Sequence, residues 1–117
     1  MGAMLDGSQP SRVLDLFCGA GGAAMGLHRA WPDAEITGVD IKPQPHYPFR
    51  FIQADAMELL LTGYDFIWTS PPCQKHSRLN AINRRQYQDF ISPIREKLRS
   101  LQVPFVIKHV VGAHLFH

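Results

Sequence analysis

The feature that most constrains the fold is a regular alternation of short apolar runs with helix-like segments. The runs are bounded by glycine, proline or aspartate, as buried strands are. The predicted strands are 12–17, 35–40, 49–55, 64–70 and 104–110, and the predicted helical segments are 21–31, a short turn at 56–61 and 86–102, in which Pro93 interrupts the pattern. Strands and helices at this spacing predict an α/β fold, a parallel sheet with helices on both faces.

Composition excludes several classes of protein. The 117 residues, of which 45% are hydrophobic, carry a formal net charge of +2, which suits one small globular domain. The apolar runs are too short to cross a membrane, and the polar start lacks a signal-peptide core. Cys18 and Cys73 have neither disulfide nor zinc spacing, and His109, His114 and His117 have no metal spacing. We therefore expect no metal, no membrane partner and a reducing, cytoplasmic compartment.

Three features fall at the ends of the first three strands, which meet at one edge of a parallel sheet. Gly19, Gly21 and Gly22 lie between the first strand and first helix, where glycine lets the backbone approach a ligand closely. Asp40 ends the second strand, at the spacing where an acidic residue commonly binds a ribose, and Asp55 ends the third strand, a further carboxylate at the same edge. Taken singly, these are a tight bend and two capped turns. Together they favour a cofactor that contains a nucleoside.

The glycine turn lacks two known nucleotide-binding patterns, and their absence bears on which nucleoside cofactor the chain binds. The strict G-x-G-x-x-G pattern is absent, because Gly19 and Gly21 are followed by Gly22 and Gly26. NAD therefore remains open. No phosphate-binding loop with a lysine is present, so ATP is disfavoured. S-adenosylmethionine carries no phosphate, and a short glycine turn with strand-end carboxylates suits it best.

The stretch "SPPCQ" (70–74) follows the fourth strand at the same edge. Pro71 and Pro72 fix their own backbone angles and restrict the residues before them, so a stiff segment presents Cys73. A free cysteine is more often a small buried apolar residue. The polar surroundings of Cys73 favour a nucleophile instead.

Three segments resemble the motifs of DNA (cytosine-5) methyltransferases: "DLFCGAGG" (15–22), "VDIK" (39–42) and "SPPCQ". After Ser11 nearly the whole chain is similar to the N-terminal catalytic part of the compact bacterial or phage type. The resemblance implies a Rossmann-like class I methyltransferase fold of about five parallel strands, truncated. It also implies S-adenosylmethionine as cofactor, S-adenosylhomocysteine as product, double-stranded DNA as partner, and a role in restriction-modification inside a bacterial or phage-infected cell.

The same resemblance gives each site residue a role. Asp40 would bind the ribose hydroxyls, Ile41 would pack on the adenine, and Asp55 would accept from the adenine amino group. The implied cofactor-binding set is Phe17, Cys18, Gly19, Ala20, Gly21, Gly22, Asp40, Ile41, Asp55, Ala56 and Pro71. Cys73 would be the catalytic nucleophile, with Pro72 bordering cofactor and base. The polar segment 74–85 would meet DNA phosphates through Gln74, Lys75, Ser77, Arg78, Arg84 and Arg85, although a solvated loop explains such charges equally well.

The chemistry of methyl transfer to carbon 5 of cytosine explains why such an enzyme needs a thiol nucleophile. Carbon 5 of cytosine is a poor nucleophile until a thiolate adds to carbon 6 and turns the ring into an enamine. Carbon 5 then takes the methyl group, and loss of its proton expels the thiol. The base must first leave the duplex, because stacking shields carbon 6.

Two departures from the family count against full activity. Where the family has a Glu-Asn pair at the end of the fifth strand, this chain has Lys108 and His109. An ammonium with a reference pKa of about 10.4 is a far weaker acid than a carboxylic acid, and loss of a positioned acid costs about 10²–10⁴-fold in rate. We therefore expect impaired catalysis, and a catalytically silent cofactor- or DNA-binding module is the alternative. An amino-methylating enzyme is a third possibility, which Cys73 argues against.

The second departure is the length of the chain. Residues 1–10 are expected to be a cloning scar with a flexible N-terminus, and 11–117 a partial catalytic domain. The family's later strands and target-recognition region have no counterpart, so a sheet edge would be exposed. We expect self-association or a missing complementary segment.

Overall fold

The computed structural model describes residues 8–71 and 84–108, and gives no side-chain description for residues 84–90. Its elements are β1 (Arg12–Leu16), α1 (Gly22–Ala30), β2 (Glu35–Asp40), β3 (Arg50–Gln53), β4 (Phe66–Thr69), α2 (Arg84–Arg99) and β5 (Phe105–Ile107). The strands form one sheet in the order β3-β2-β1-β4-β5, and every neighbouring pair is parallel. The predicted Rossmann-like α/β fold of five parallel strands is confirmed.

The strand order reverses beside β1. The chain runs outward from β1 through β2 to β3, then crosses to the other side of β1 to form β4 and β5. At such a reversal the connections leave the carboxyl ends of adjacent strands in opposite directions, which opens a crevice between them. The fold therefore places a ligand site at the ends of β1 and its neighbours.

Each face of the sheet has its own apolar core, because successive side chains of a strand point to opposite faces. On one face, Val13 and Phe66 pack with Leu27 and Trp31 from α1 and its end. On the other face, Leu14, Leu16 and Ile67 pack with three residues of α2, namely Ile91, Ile94 and Leu98. The strands read as near-continuous apolar runs because helices cover both faces.

Most observed elements are shorter than the predicted ones, but β2 has the predicted bounds and α2 begins two residues earlier than predicted, at Arg84. β1 ends at Leu16 because Phe17 has a φ of 56°, which takes the chain out of the extended conformation. The predicted helical turn at 56–61 is shorter in the structure: residues 56–58 form a single turn, in which the Asp55 carbonyl oxygen accepts from the amides of Glu58 and Leu59. Lys97 of α2 binds carbonyl oxygens of this segment, oxygens that a helix would have used internally.

Neither α1 nor α2 has the length and apolar character that crossing a bilayer requires.

A candidate cofactor site at the strand ends

A cavity of about 410 Å³ lies at the carboxyl ends of the strands. This volume is in the range of small-ligand sites. Six of the predicted cofactor residues line it: Phe17, Gly19, Asp40, Ile41, Asp55 and Ala56. Sequence reasoning missed five further lining residues: Val39, Lys42, Gln44, Ala54 and Ser70. All five lie at or just after strand ends, so the strand boundaries were the signal that could have found them.

The glycine turn between β1 and α1 adopts left-handed backbone conformations. Phe17, Gly19 and Gly21 have φ angles of 56°, 53° and 107°. For glycine such angles cost nothing sterically, whereas a phenylalanine there carries strain of roughly 1–3 kcal/mol. A strained aromatic residue that lines a cavity is typical of a functional site.

Only part of the predicted glycine motif reaches the cavity. Cys18, Ala20, Gly21 and Gly22 are not among its lining residues, and neither is the buried Pro71. Gly21 instead lies under the β2–β3 connection, where an added Cβ would come within 2.6 Å of Pro48 Cδ. Its role is to let the Pro48 ring pack closely against the glycine turn.

Asp40 ties the end of β2 to the glycine turn. Its Oδ2 accepts a hydrogen bond from the Gly19 amide at 2.9 Å, and its Oδ1 accepts one from the Lys42 amide at 3.0 Å. The Cys18 amide also donates to the Val39 carbonyl oxygen at 3.0 Å. An ionised carboxylate has about four acceptor sites, so Asp40 can still accept from a ribose hydroxyl.

Asp55 caps the turn that follows β3. Its Oδ1 accepts from the Met57 amide at 2.9 Å, and its main-chain oxygen accepts from the amides of Glu58 and Leu59. The Lys97 ammonium group donates to the main-chain oxygens of Ala56, Met57 and Leu59 at 2.7–2.8 Å. Desolvation lowers the pKa of Lys97, and the charges of Asp55 and Glu58 oppose that shift.

A buried carboxyl group lies behind the glycine turn, in the middle of the sheet. Asp15 is fully buried, and its Oδ2 accepts a hydrogen bond from the Tyr47 hydroxyl at 3.0 Å, while its Oδ1 has no hydrogen-bond partner among the described residues. Burial raises the pKa of Asp15 to about 6. The tyrosine comes from the β2–β3 connection, so this hydrogen bond holds the connection against the sheet.

Cys18 is a structural thiol. It is buried, and desolvation together with the charges of Asp15 and Asp40 raises the pKa of Cys18 to about 12. A thiol with such a pKa is protonated at neutral pH and is a weak nucleophile.

The end of β4 brings Ser70, the first residue of the predicted catalytic stretch, to the cavity. The Ser70 amide donates to the Leu16 carbonyl oxygen at 3.1 Å, and the Ser70 hydroxyl accepts from the Trp68 indole at 2.8 Å. Lys108 follows β5; its amide donates to the Thr69 carbonyl oxygen at 2.9 Å, and the residue is exposed. Ser70 and Lys108 therefore flank the same strand end.

The remaining predicted site residues fall outside this description. Seven predicted site residues lie outside the described residues: Pro72, Cys73, Gln74, Lys75, Ser77, Arg78 and His109. The side chains of Arg84 and Arg85 are likewise not described. Within residues 8–71 and 84–108, no three histidine, cysteine, aspartate or glutamate side chains converge on a possible metal position.

Comparison with known proteins gives methyltransferases. No protein-family model matches the chain. The chain is 41% identical over 56 residues to the 23S rRNA (uracil(747)-C(5))-methyltransferase RlmC of Escherichia coli strain SMS-3-5, and 44% identical over 52 residues to RlmC of Escherichia coli O1:K1. These matches cover 48% and 44% of the chain but only 14% and 12% of the relatives. The chain thus matches a small part of each relative.

Among solved structures, the plantazolicin methyltransferase BpumL in complex with SAH is 25% identical, with a TM-score of 0.46 over 54% of the chain and 28% of BpumL. The 1,6-didemethyltoxoflavin-N1-methyltransferase of Burkholderia thailandensis, with bound S-adenosylhomocysteine, is 19% identical, with a TM-score of 0.49 over 84% of the chain and 44% of the enzyme.

The predicted family, the DNA (cytosine-5) methyltransferases, is wrong, because the curated relatives are named as RNA (uracil-C5) methyltransferases. The physical reason is that two of the three matched segments, the glycine turn and the end of β2, build a cofactor cavity. A cofactor cavity does not specify the acceptor that is methylated. The DNA partner rested on the same resemblance and is not carried forward.

Proposed function

We propose that the chain is the S-adenosylmethionine-binding part of a methyltransferase. The observation that carries this proposal is the hydrogen bond from the Gly19 amide to Asp40. In dinucleotide-binding folds, the amides of this turn and helix face a pyrophosphate. Here a carboxylate takes one of them, and it would repel a phosphate group. A nucleoside cofactor without phosphates avoids this repulsion.

The cavity suits the parts of S-adenosylmethionine in order. Asp40 is placed to accept from the ribose hydroxyls, and Ile41, whose surface is 62% exposed, offers an apolar face to the adenine. Asp55 provides an acceptor for the adenine amino group.

For the methyl acceptor, we propose carbon 5 of a uracil in RNA, with Cys73 as nucleophile. The curated relatives support this choice of acceptor. Lys108 supports it chemically. Thiolate addition to carbon 6 of uracil places negative charge on the oxygen of carbon 4, which a nearby ammonium group can stabilise. Cytosine would need a proton on nitrogen 3, which lysine delivers poorly.

The proposed reaction is balanced as follows. The thiolate forms a bond to carbon 6, and the electron pair of the 5,6 double bond moves to the oxygen of carbon 4. Carbon 5 then takes the methyl group from the sulfonium, which leaves as S-adenosylhomocysteine. A base removes the proton on carbon 5, and the returning electron pair expels the thiolate. Products are 5-methyluracil, S-adenosylhomocysteine and a proton.

The first test measures cofactor binding by calorimetry. We expect the chain to bind S-adenosylhomocysteine and S-adenosylmethionine, and to bind NAD and ATP at least about 10-fold more weakly, because their phosphates approach Asp40. Asp40→Ala should weaken the binding of S-adenosylhomocysteine by about 10-fold or more, because the variant loses the ribose contacts and the hydrogen bond to the glycine turn. Equal affinity for NAD, or no binding of S-adenosylhomocysteine, contradicts the proposal.

The second test measures transfer of a radiolabelled methyl group from S-adenosylmethionine to uracil-containing RNA, to the same RNA with 5-methyluridine in place of uridine, and to DNA of matched sequence. We expect label in the first RNA only, and none with Cys73→Ser. Label in DNA contradicts the proposed acceptor. Cofactor binding without transfer to any acceptor favours the second candidate function, a catalytically silent binding module.

A further inference from the structure

The strongest unassigned contact links α2 to the floor of the cavity. Lys97 lies 38–41 residues along the chain from its three partners, yet its ammonium group donates to the oxygens of Ala56, Met57 and Leu59 at distances of 2.7–2.8 Å. An ammonium group has three donors and no acceptor. All three donors of Lys97 are therefore used on one short segment of backbone.

The segment that Lys97 binds is the one that presents Asp55 and Ala56 to the cavity. Asp55 accepts from the amides of Met57, Glu58 and Leu59 through its side chain and main chain, so its carboxylate moves with the turn. The turn has no regular helix to hold its carbonyl oxygens. Charge-assisted hydrogen bonds are about twice as strong as neutral ones, so one lysine can fix the whole turn.

We propose that Lys97 is a positioning residue that makes the cofactor site selective for adenine, by holding the turn that carries Asp55. This inference rests on the proposed function and adds to it the determinant of base selectivity. Adenine carries an amino group at its carbon 6, which can donate to the Asp55 carboxylate. Hypoxanthine has a carbonyl oxygen there, which the carboxylate repels. The selectivity requires Asp55 at a defined place.

The packing around Lys97 explains why the contact survives in water. The side chain leaves α2 beside Leu98, which is 1% exposed and belongs to the same apolar cluster as Ala56 and Leu61. Lys97 itself is half-buried, and from this position its ammonium group reaches the carbonyl oxygens. Methionine at this position would keep the stem and lose the three donors.

The experiment measures the affinities of the full chain for S-adenosylhomocysteine and S-inosylhomocysteine. The variants are Lys97→Met, Lys97→Gln and, as a matched control on the same helix, Arg99→Met. Arg99 is exposed, and its contact in the structure is a surface ion pair with Glu96 at 3.8 Å. We expect the wild type and the Arg99 variant to prefer the adenine compound by about 10-fold, the value of one good hydrogen bond. Lys97→Met should reduce this preference to about 2-fold or less.

The ratio of affinities separates positioning from general stability. If Lys97 were purely structural, its replacement would weaken the binding of both compounds equally. An unchanged ratio of the two affinities in folded Lys97→Met therefore overturns the inference and leaves the proposed function intact. If Lys97→Met does not fold, Lys97→Gln, which keeps two donors, decides the matter by the same ratio. A wild type that binds neither compound overturns both the inference and the proposed function.

Discussion

At the scale of single residues, the carboxyl group of Asp15 has a raised pKa that a stability measurement can reach. It has no exposed surface and one hydrogen bond, from Tyr47, and its neighbouring charge is that of Asp40. Desolvation disfavours the ionised form and raises the pKa of Asp15 from 3.8 to about 6. The folded chain therefore binds this proton more tightly than the unfolded chain does.

The sign of the pH dependence follows from linkage. Because the folded-state pKa is the higher one, the stabilisation is complete below about pH 4 and is lost as the pH rises through about 6. Between pH 4.5 and 7.5 the loss amounts to about 2 kcal/mol, since one pKa unit corresponds to about 1.4 kcal/mol. Asp15→Asn can still accept from Tyr47 but does not ionise. We expect its free energy of unfolding to rise by about 2 kcal/mol relative to that of the wild type between pH 4.5 and 7.5.

Urea denaturation at the two pH values measures this difference. Asp33→Asn, at an exposed position, serves as the control that keeps the change in formal charge but not the burial. A difference between Asp15→Asn and wild type that does not vary with pH would show that Asp15 titrates normally.

At the scale of elements, the β2–β3 connection packs closely against β2 because Gly38 of that strand has no side chain. A Cβ at Gly38 would lie 2.3 Å from Tyr47 Cζ and 2.7 Å from its hydroxyl oxygen. Tyr47 cannot move away cheaply, because it is buried and bonded to Asp15. Glycine is a weak strand former, and its presence here allows the connection to pack closely against the strand.

We expect Gly38→Ala to lower the free energy of unfolding by about 1–3 kcal/mol, the usual cost of overpacking. Gly26→Ala is the matched control, because a Cβ there meets nothing within 4 Å and Gly26 lies inside α1. Alanine in the helix should stabilise the chain by about 0.5–1 kcal/mol. Thermal or urea unfolding of both variants checks the opposite signs, and equal effects would contradict the packing argument.

At the scale of the whole molecule, the candidate cavity is built from residues that follow four different strands. Phe17 follows β1, Ile41 follows β2, Asp55 follows β3 and Ser70 follows β4. A ligand in this cavity therefore contacts both sides of the point where the strand order reverses, and unfolding of any of these strands would release it. Binding and global stability should be coupled.

We expect S-adenosylhomocysteine at 100 times its Kd to stabilise the chain by about 2.7 kcal/mol. For a domain of this size that corresponds to a rise in Tm of about 10 °C or more. Differential scanning fluorimetry measures the shift, with ATP at the same concentration as the control ligand. A shift as large with ATP would mean that phosphate is tolerated beside Asp40. Self-association through a sheet edge, by contrast, stays a prediction for light scattering.

By itself, the sequence determined the order of strands and helices and the edge of the sheet at which ligands bind. Both follow from short-range pattern, because apolar runs bounded by glycine, proline and aspartate report strands and their ends. Six predicted cofactor residues line the cavity for that reason. The methyl acceptor was predicted wrongly, because the matched segments at the described strand ends form a cofactor cavity, which is compatible with many acceptors.

Only the tertiary structure decided how the site is held. The contacts of Lys97 with Ala56, of Tyr47 with Asp15 and of Gly21 with Pro48 join residues 27–41 positions apart along the chain. No periodicity connects such residues, since a pattern of 2 or 3.6 residues reports only the local element. Gly21, Gly22 and Cys18 also looked like cofactor residues, yet they do not line the cavity. Close approach of the β2–β3 connection determined the role of Gly21, and burial determined that of Cys18. Neither property is visible in one dimension.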